Sequence, residues 1–267
     1  MAMIQMLLAV ALLLPVAKPA ASLEEDAFTQ AVARVLAKHE TSGSFTVYDE
    51  QQQLFLRSDP AKSRTPEIPA STFKIPNSLI ALQTGVITAP DEVIPWDGVE
   101  RQIKSWNQDQ TLASAVRYST VWVFQGVARA VGRPAMQRFL DQLGYGNGQI
   151  GEVIDRFWLD GSLKITPQQQ IEFLRRLYHH QLPFEKRHMT AVQDMIVRKQ
   201  EDGYRLSGKT GWAIQSDPDR GWFVGYLERQ RQVWFFALLV DIHSDGRGRD
   251  RQGITEEILR ELELIQP

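Results

Sequence analysis

The sequence predicts an α+β fold in which the two ends of the chain share one antiparallel sheet and the middle forms a separate helical lobe, with a cleft between them. Three observations lead there. A helical apolar period and then two short alternating runs open the chain. The stretch from Ser71 to about Pro183 reads as helices, and from Met189 onward the pattern alternates again before a last helical segment. Pairing the two ends in a single sheet buries every apolar face with the fewest layers. At 267 residues and 43% hydrophobic content, the chain has enough apolar side chains for a large core.

In chain order, Met6 to Leu14 is almost wholly apolar, Pro15 ends that run, and Ala17 to Ser22 supplies small residues. The run is too short to cross a bilayer and has the form of an export signal over 1–22, cleaved near Ala21/Ser22, which implies a periplasmic mature protein. Leu23 to Lys38 carries Phe28, Val32, Val35 and Leu36 at helical spacing. Ser44 to Tyr48 and Gln53 to Arg57 flank a polar tetrapeptide and read as a hairpin. Pro60 to Pro69 is a proline- and charge-rich loop leading to the helix that should start at Ser71. In that helix, Pro76 removes a backbone donor and is expected to bend it.

Gly and Pro punctuation at 90–98 and 144–151 divides the helical middle. Strands are expected over Tyr204–Lys209, Trp222–Glu228 and Val233–Ile242, then a helix from about Gly253 to Ile265. The lobes are thus a sheet lobe from about 23–65 and 189–267, and a helical lobe over about 66–188.

Charge and composition exclude several classes. A formal charge of −2 gives no basic excess for a phosphate backbone, so nucleic acid is not an expected partner. With no cysteine there are no thiol nucleophiles, disulfides or thiolate metal sites. The five histidines, His179-His180 among them, lack ligand spacing, so no metal is expected.

Chemistry concentrates in Ser71-Thr72-Phe73-Lys74 and Lys209-Thr210-Gly211. Residues three apart on a helix share a face, about 5–6 Å apart at Cβ, so Ser71 Oγ is within reach of the Lys74 amine. A hydroxyl beside an amine is an activated nucleophile. S-x-x-K followed by K-T-G is an established signature of penicillin-recognising serine enzymes. Ser119-Thr120-Val121 and Ser114-Ala115-Val116 both match S-x-V. On one helix these serines are rotated by roughly 140°, so only one faces a cleft. Ser119 is preferred because Val121 to Phe124 buries its face, which leaves Ser114 as an exposed helix serine. Tyr145-Gly146-Asn147 sits in a glycine-rich turn, and Phe157-Trp158-Leu159-Asp160-Gly161 offers core aromatics beside it.

In this order and at these separations, the residues resemble the class D, oxacillinase-type serine β-lactamases. The resemblance rests on Pro69-Ala70-Ser71-Thr72-Phe73-Lys74-Ile75-Pro76, Ser119-Thr120-Val121, Tyr145-Gly146-Asn147, Phe157-Trp158-Leu159, Gly161-Ser162-Leu163-Lys164-Ile165 and Lys209-Thr210-Gly211-Trp212. It runs from about Gly43 to the last helix and implies the penicillin-recognising fold over a catalytic domain 23–267.

The resemblance also implies roles. Ser71 attacks the β-lactam carbonyl, and the N–H groups of Ser71 and Trp212 form the oxyanion hole. Lys74 is carboxylated by carbon dioxide to N6-carboxylysine, the general base, with no other cofactor. Trp158 bonds the carbamate, while Phe73, Val121 and Leu159 keep the site apolar. Ser119 relays a proton to the leaving nitrogen. Lys209 and Thr210, with Gly211 and Trp212 beside them, bind the substrate carboxylate together with a guanidinium from the last helix. Arg251 has the best register for that guanidinium, with Arg249 the alternative and Arg247 in a basic turn. The partner is a small β-lactam; no membrane is involved after signal cleavage, and a homodimer is compatible with this reading. The other function class is a penicillin-binding sensor or transpeptidase that acylates the same serine without turning over.

Overall fold

The structure is a computed structural model, and it describes residues 25–201, 203–214 and 218–266. The expected export signal and its cleavage site lie outside the described residues.

Helix α1, Glu25–Lys38, starts on two acidic residues and ends on Lys38, charges that complement its dipole. Among the described residues six strands follow the predicted split between the chain ends: β1 Gly43–Asp49, β2 Leu54–Arg57, β3 Val197–Glu201, β4 Tyr204–Ala213, β5 Asp219–Arg229 and β6 Gln232–Ile242. They form one sheet in the order β2-β1-β6-β5-β4-β3, antiparallel throughout. Helix α8, Arg251–Glu261, closes the chain against α1.

Both faces of the sheet are covered, and the period of two in β5 and β6 sorts the side chains. Phe223 and Leu227 of β5, with Phe236 and Leu238 of β6, pack toward α1 and α8 beside Phe28, Val32 and Ile258. Trp222, Val224, Tyr226, Phe235 and Ala237 face the other way, into the larger core shared with the helical lobe. That lobe contains α2 Lys74–Thr84, α3 Leu112–Tyr118, α4 Val121–Val131, α5 Arg133–Leu143, α6 Pro167–Tyr178 and α7 Lys186–Met195.

Four local expectations are corrected. Ser71 lies in a single 3-10 turn, Ala70–Phe73, and the α-helix begins only at Lys74. Pro76 therefore falls in the first turn of α2, where its missing N–H has no intrahelical partner to lose. Ser119 is not on a helix with Ser114. It stops α3 in a left-handed conformation at φ 56°, while Ser114 completes a reciprocal cap with Thr111 and is half-buried. Helix α7 extends past Met189, where strands were expected. Strand β3 went unread because Val-Arg-Lys-Gln-Glu has no apolar alternation; it is a polar edge strand, as an unpaired edge favours.

Candidate active site

Three segments meet at one cleft between the lobes. The 3-10 turn presents Ser71 at its rim and Lys74 beneath. Gly211 lets β4 press against this turn: a Cβ there would stand 2.9 Å from the Pro69 carbonyl oxygen and 3.0 Å from Thr72 Cγ2. The α3–α4 junction supplies Ser119 from the third side. The cavity measures about 490 Å³ and is bordered by Ser71, Ser119, Val121, Leu159, Thr210, Gly211, Trp212 and Arg251.

Lys74 Nζ donates to Ser71 Oγ over 2.9 Å. The lysine is buried, with its ammonium 5.3 Å from the Phe124 ring centroid and no carboxylate paired to it among the described residues. Burial alone pushes it down to about 7 from its ordinary 10.5. An amine in that condition is half neutral at physiological pH and basic enough to take a proton from a hydroxyl. Phe73 stacks on Trp158 with centroids 5.5 Å apart and meets Phe157 edge-on at 5.0 Å, which keeps water from this end of the site.

Lys209 is buried as well. Its Nζ donates to Ser119 Oγ in a short bond and to the Thr210 carbonyl at 3.0 Å. Burial, then the nearby charges of Lys74, Arg198 and Arg251, hold it well below the usual lysine range. Arg251 is pushed down to about 10, chiefly by burial and then by Arg249, and its Nε and one terminal nitrogen are buried without a hydrogen-bond partner. Such a cationic well, with Arg251 at the wall of the cleft, is suited to a carboxylate. Arg249 lies outside, exposed over the Trp212 ring.

Tyr145-Gly146-Asn147 braces the site from behind. The Tyr145 hydroxyl donates to Gln170, whose amide donates to Thr72 Oγ1 at 2.8 Å, and Thr72 in turn donates to the Pro69 carbonyl at 2.8 Å. Gly146 is in the left-handed region, and a Cβ there would sit 2.1 Å from the Lys164 carbonyl oxygen. Asn147 ties this turn to Ser162 and Lys164 through its side-chain amide.

The sequence reading missed Ile103, Trp106 and Tyr118 in the outer wall. Ile103, Trp106, Tyr118 and Ile214 border the cleft, and Ile214 is 71% exposed. The available signal was a pair of aromatics, Trp106 and Tyr118, and a pair of aliphatics, Ile103 and Ile214, each placed next to polar residues. The histidines pair with Glu257, Glu50, Thr190 and Gln83, apart from His243, and no metal-binding cluster occurs among the described residues.

A buried lysine on a serine, a second lysine on a second serine, and a sheet edge closing the cleft define a penicillin-recognising serine enzyme. Residues 36–262 match the penicillin binding protein transpeptidase domain. The chain is 39% identical over 229 residues to β-lactamase OXA-48 of Klebsiella pneumoniae, covering 85% of this chain and 86% of that one. A class D β-lactamase structure from Nostoc superposes with a TM-score of 0.85 at 45% identity, covering 88% of this chain and 99% of the other. A class D β-lactamase from Sebaldella termitidis gives 0.85 at 34% identity, covering 88% and 96%. The chain belongs to the class D serine β-lactamase family.

Proposed function

We propose that this protein hydrolyses the amide bond of β-lactam antibiotics through an acyl-enzyme on Ser71. The observation that carries the reading is the 2.9 Å bond between Lys74 and Ser71 at the rim of the cleft, with Lys74 buried and depressed to about 7. Ser71 Oγ attacks the lactam carbonyl carbon and gives up its proton toward the Lys74 end of the site. The N–H groups of Ser71 and Trp212 receive the oxyanion. As the C–N bond breaks, Ser119, bonded to Lys209, passes a proton to the departing nitrogen. Lys209, Thr210 and Arg251 hold the substrate carboxylate.

Carboxylation of Lys74 fits the residues present. The amine is partly neutral near pH 7, as reaction with carbon dioxide requires, and Phe73, Phe124, Val121, Trp158 and Leu159 make an apolar surround. The carbamate, when formed, supplies a general base for both acylation and deacylation. Trp158, stacked on Phe73, would orient it. We further propose that the mature chain acts in the periplasm after loss of 1–22.

Matching the transpeptidase domain supports a second reading, a protein that acylates and does not turn over. A chromogenic cephalosporin separates them. Sustained release of product at many equivalents supports hydrolysis, whereas one stoichiometric burst supports the binder. In either case Ser71→Ala should give no covalent adduct by intact-mass spectrometry; an adduct on that variant refutes the assignment of Ser71.

A further inference from the structure

Trp212 is fixed at its edge and loaded on its ring. Its indole N–H donates to Asp219 Oδ2 over 2.8 Å, from the penultimate residue of β4 to the first residue of β5. Two guanidiniums lie over the ring, Arg249 at 4.9 Å and Arg251 at 5.6 Å from its centroid. Arg251 reaches the ring by crossing the hairpin at Gly221, the residue paired with Trp212; a Cβ on Gly221 would stand 2.6 Å from Arg251 Cδ. Beyond that crossing, Nε and one terminal nitrogen of Arg251 are buried without a hydrogen-bond partner among the described residues.

The plane of the Trp212 ring is therefore what places the Arg251 head, through cation–π contact and stacking. Two like charges share that platform and repel each other, so a ring free to turn would let them separate. We infer that Asp219 is a positioning residue for substrate recognition: by holding the Trp212 indole it keeps the Arg251 guanidinium at the wall of the cleft, where it receives the carboxylate. The inference rests on the proposed β-lactam hydrolysis and adds a residue that touches no substrate.

Steady-state kinetics on a penicillin and on its methyl ester test it. Asp219→Ala should raise KM for the free acid about tenfold, roughly the loss of one well-aimed charge-assisted bond, with kcat within about twofold. Asp219→Asn keeps a carbonyl oxygen for the indole and should return KM to within about threefold of wild type. For the ester, which has no carboxylate to aim at, neither variant should change KM. A loss that strikes kcat as hard as KM, or acid and ester alike, overturns the inference in favour of a structural role. An alanine variant with wild-type KM for the acid overturns it outright. Wild-type protein that leaves both compounds intact overturns the reading of the site itself.

Discussion

Gly211 and Pro69 approach so closely that no side chain fits between them: a Cβ on Gly211 would stand 2.9 Å from the Pro69 carbonyl oxygen. That gap sets how near β4, with Lys209 and Thr210, comes to the turn that carries Ser71. Gly211→Ala should push strand and turn apart, because the obstruction is backbone. Overpacking of this kind costs about 1–3 kcal/mol of stability. A displacement near 1 Å in a site built on alignment costs about 100-fold in rate. The expected result is a folded protein whose kcat/KM for a chromogenic cephalosporin falls about 100-fold. Unchanged kinetics would mean the strand and turn are not the rigid pair described.

Ser114 and Ser119 look alike in sequence and differ in structure. Ser114 caps α3, its hydroxyl accepting from the Thr111 N–H at 2.8 Å, whereas Ser119 accepts from buried Lys209 in the cleft. Ser114→Ala should lower stability by about 0.5–2 kcal/mol and leave kcat intact. Ser119→Ala should lower kcat by about 10²- to 10⁴-fold, the range for loss of a proton relay. Thermal melts and kinetics on the two variants distinguish them, and a reversed pattern would exchange their roles.

The sequence made the sheet, the helical middle and the Ser71–Lys74 pair legible because each depends on local period or spacing. Trp222 to Tyr226 and Trp234 to Leu239 were readable as strands from their length and apolar content. What escaped had no local signal. Strand β3 is held by pairing with β4 and not by its own apolar pattern. The placement of Ser119 depends on a left-handed residue that ends α3, and nothing in Tyr-Ser-Thr announces one. The hydroxyl–amide relay from Tyr145 through Gln170 to Thr72 joins residues up to 98 positions apart, a relationship only the folded chain contains. The bond from Trp212 to Asp219 likewise follows from the hairpin register and from no local pattern.

That relay yields a prediction at a distance from the cleft. Tyr145 is buried, and its hydroxyl is the donor that satisfies Gln170 Oε1. Tyr145→Phe leaves that oxygen without a donor, at a cost of about 1–3 kcal/mol. Because Gln170 also anchors Thr72 in the turn that carries Ser71, kcat should fall with stability. Denaturant melts should show an earlier midpoint at unchanged slope. A variant as stable and as active as wild type would show that the relay does not brace the turn.

Lys74 ties activity to a stability penalty, and the sign of its pH dependence follows from the direction of its shift. Folding lowers its pKa from 10.5 to about 7, so between those values the unfolded chain holds a proton that the folded chain has released. Stability from this group therefore rises with pH across that window. Below about pH 7 both states are protonated and the penalty for a buried ammonium is complete, on the order of 5 kcal/mol from a shift of this size. Lys74→Met removes the charge and keeps the length. It should be inactive, yet melt higher than wild type, by the widest margin at pH 6 and by a shrinking one toward pH 10. Wild-type activity should fall as pH drops through about 7, where the folded amine becomes charged and closed to carbon dioxide, and should return with bicarbonate at neutral pH. Calorimetry across pH tests the first expectation, and carbon-13 NMR with labelled bicarbonate tests the second. A stability margin independent of pH would remove the depressed lysine, and full activity in buffer free of carbon dioxide would leave the bare amine as the base.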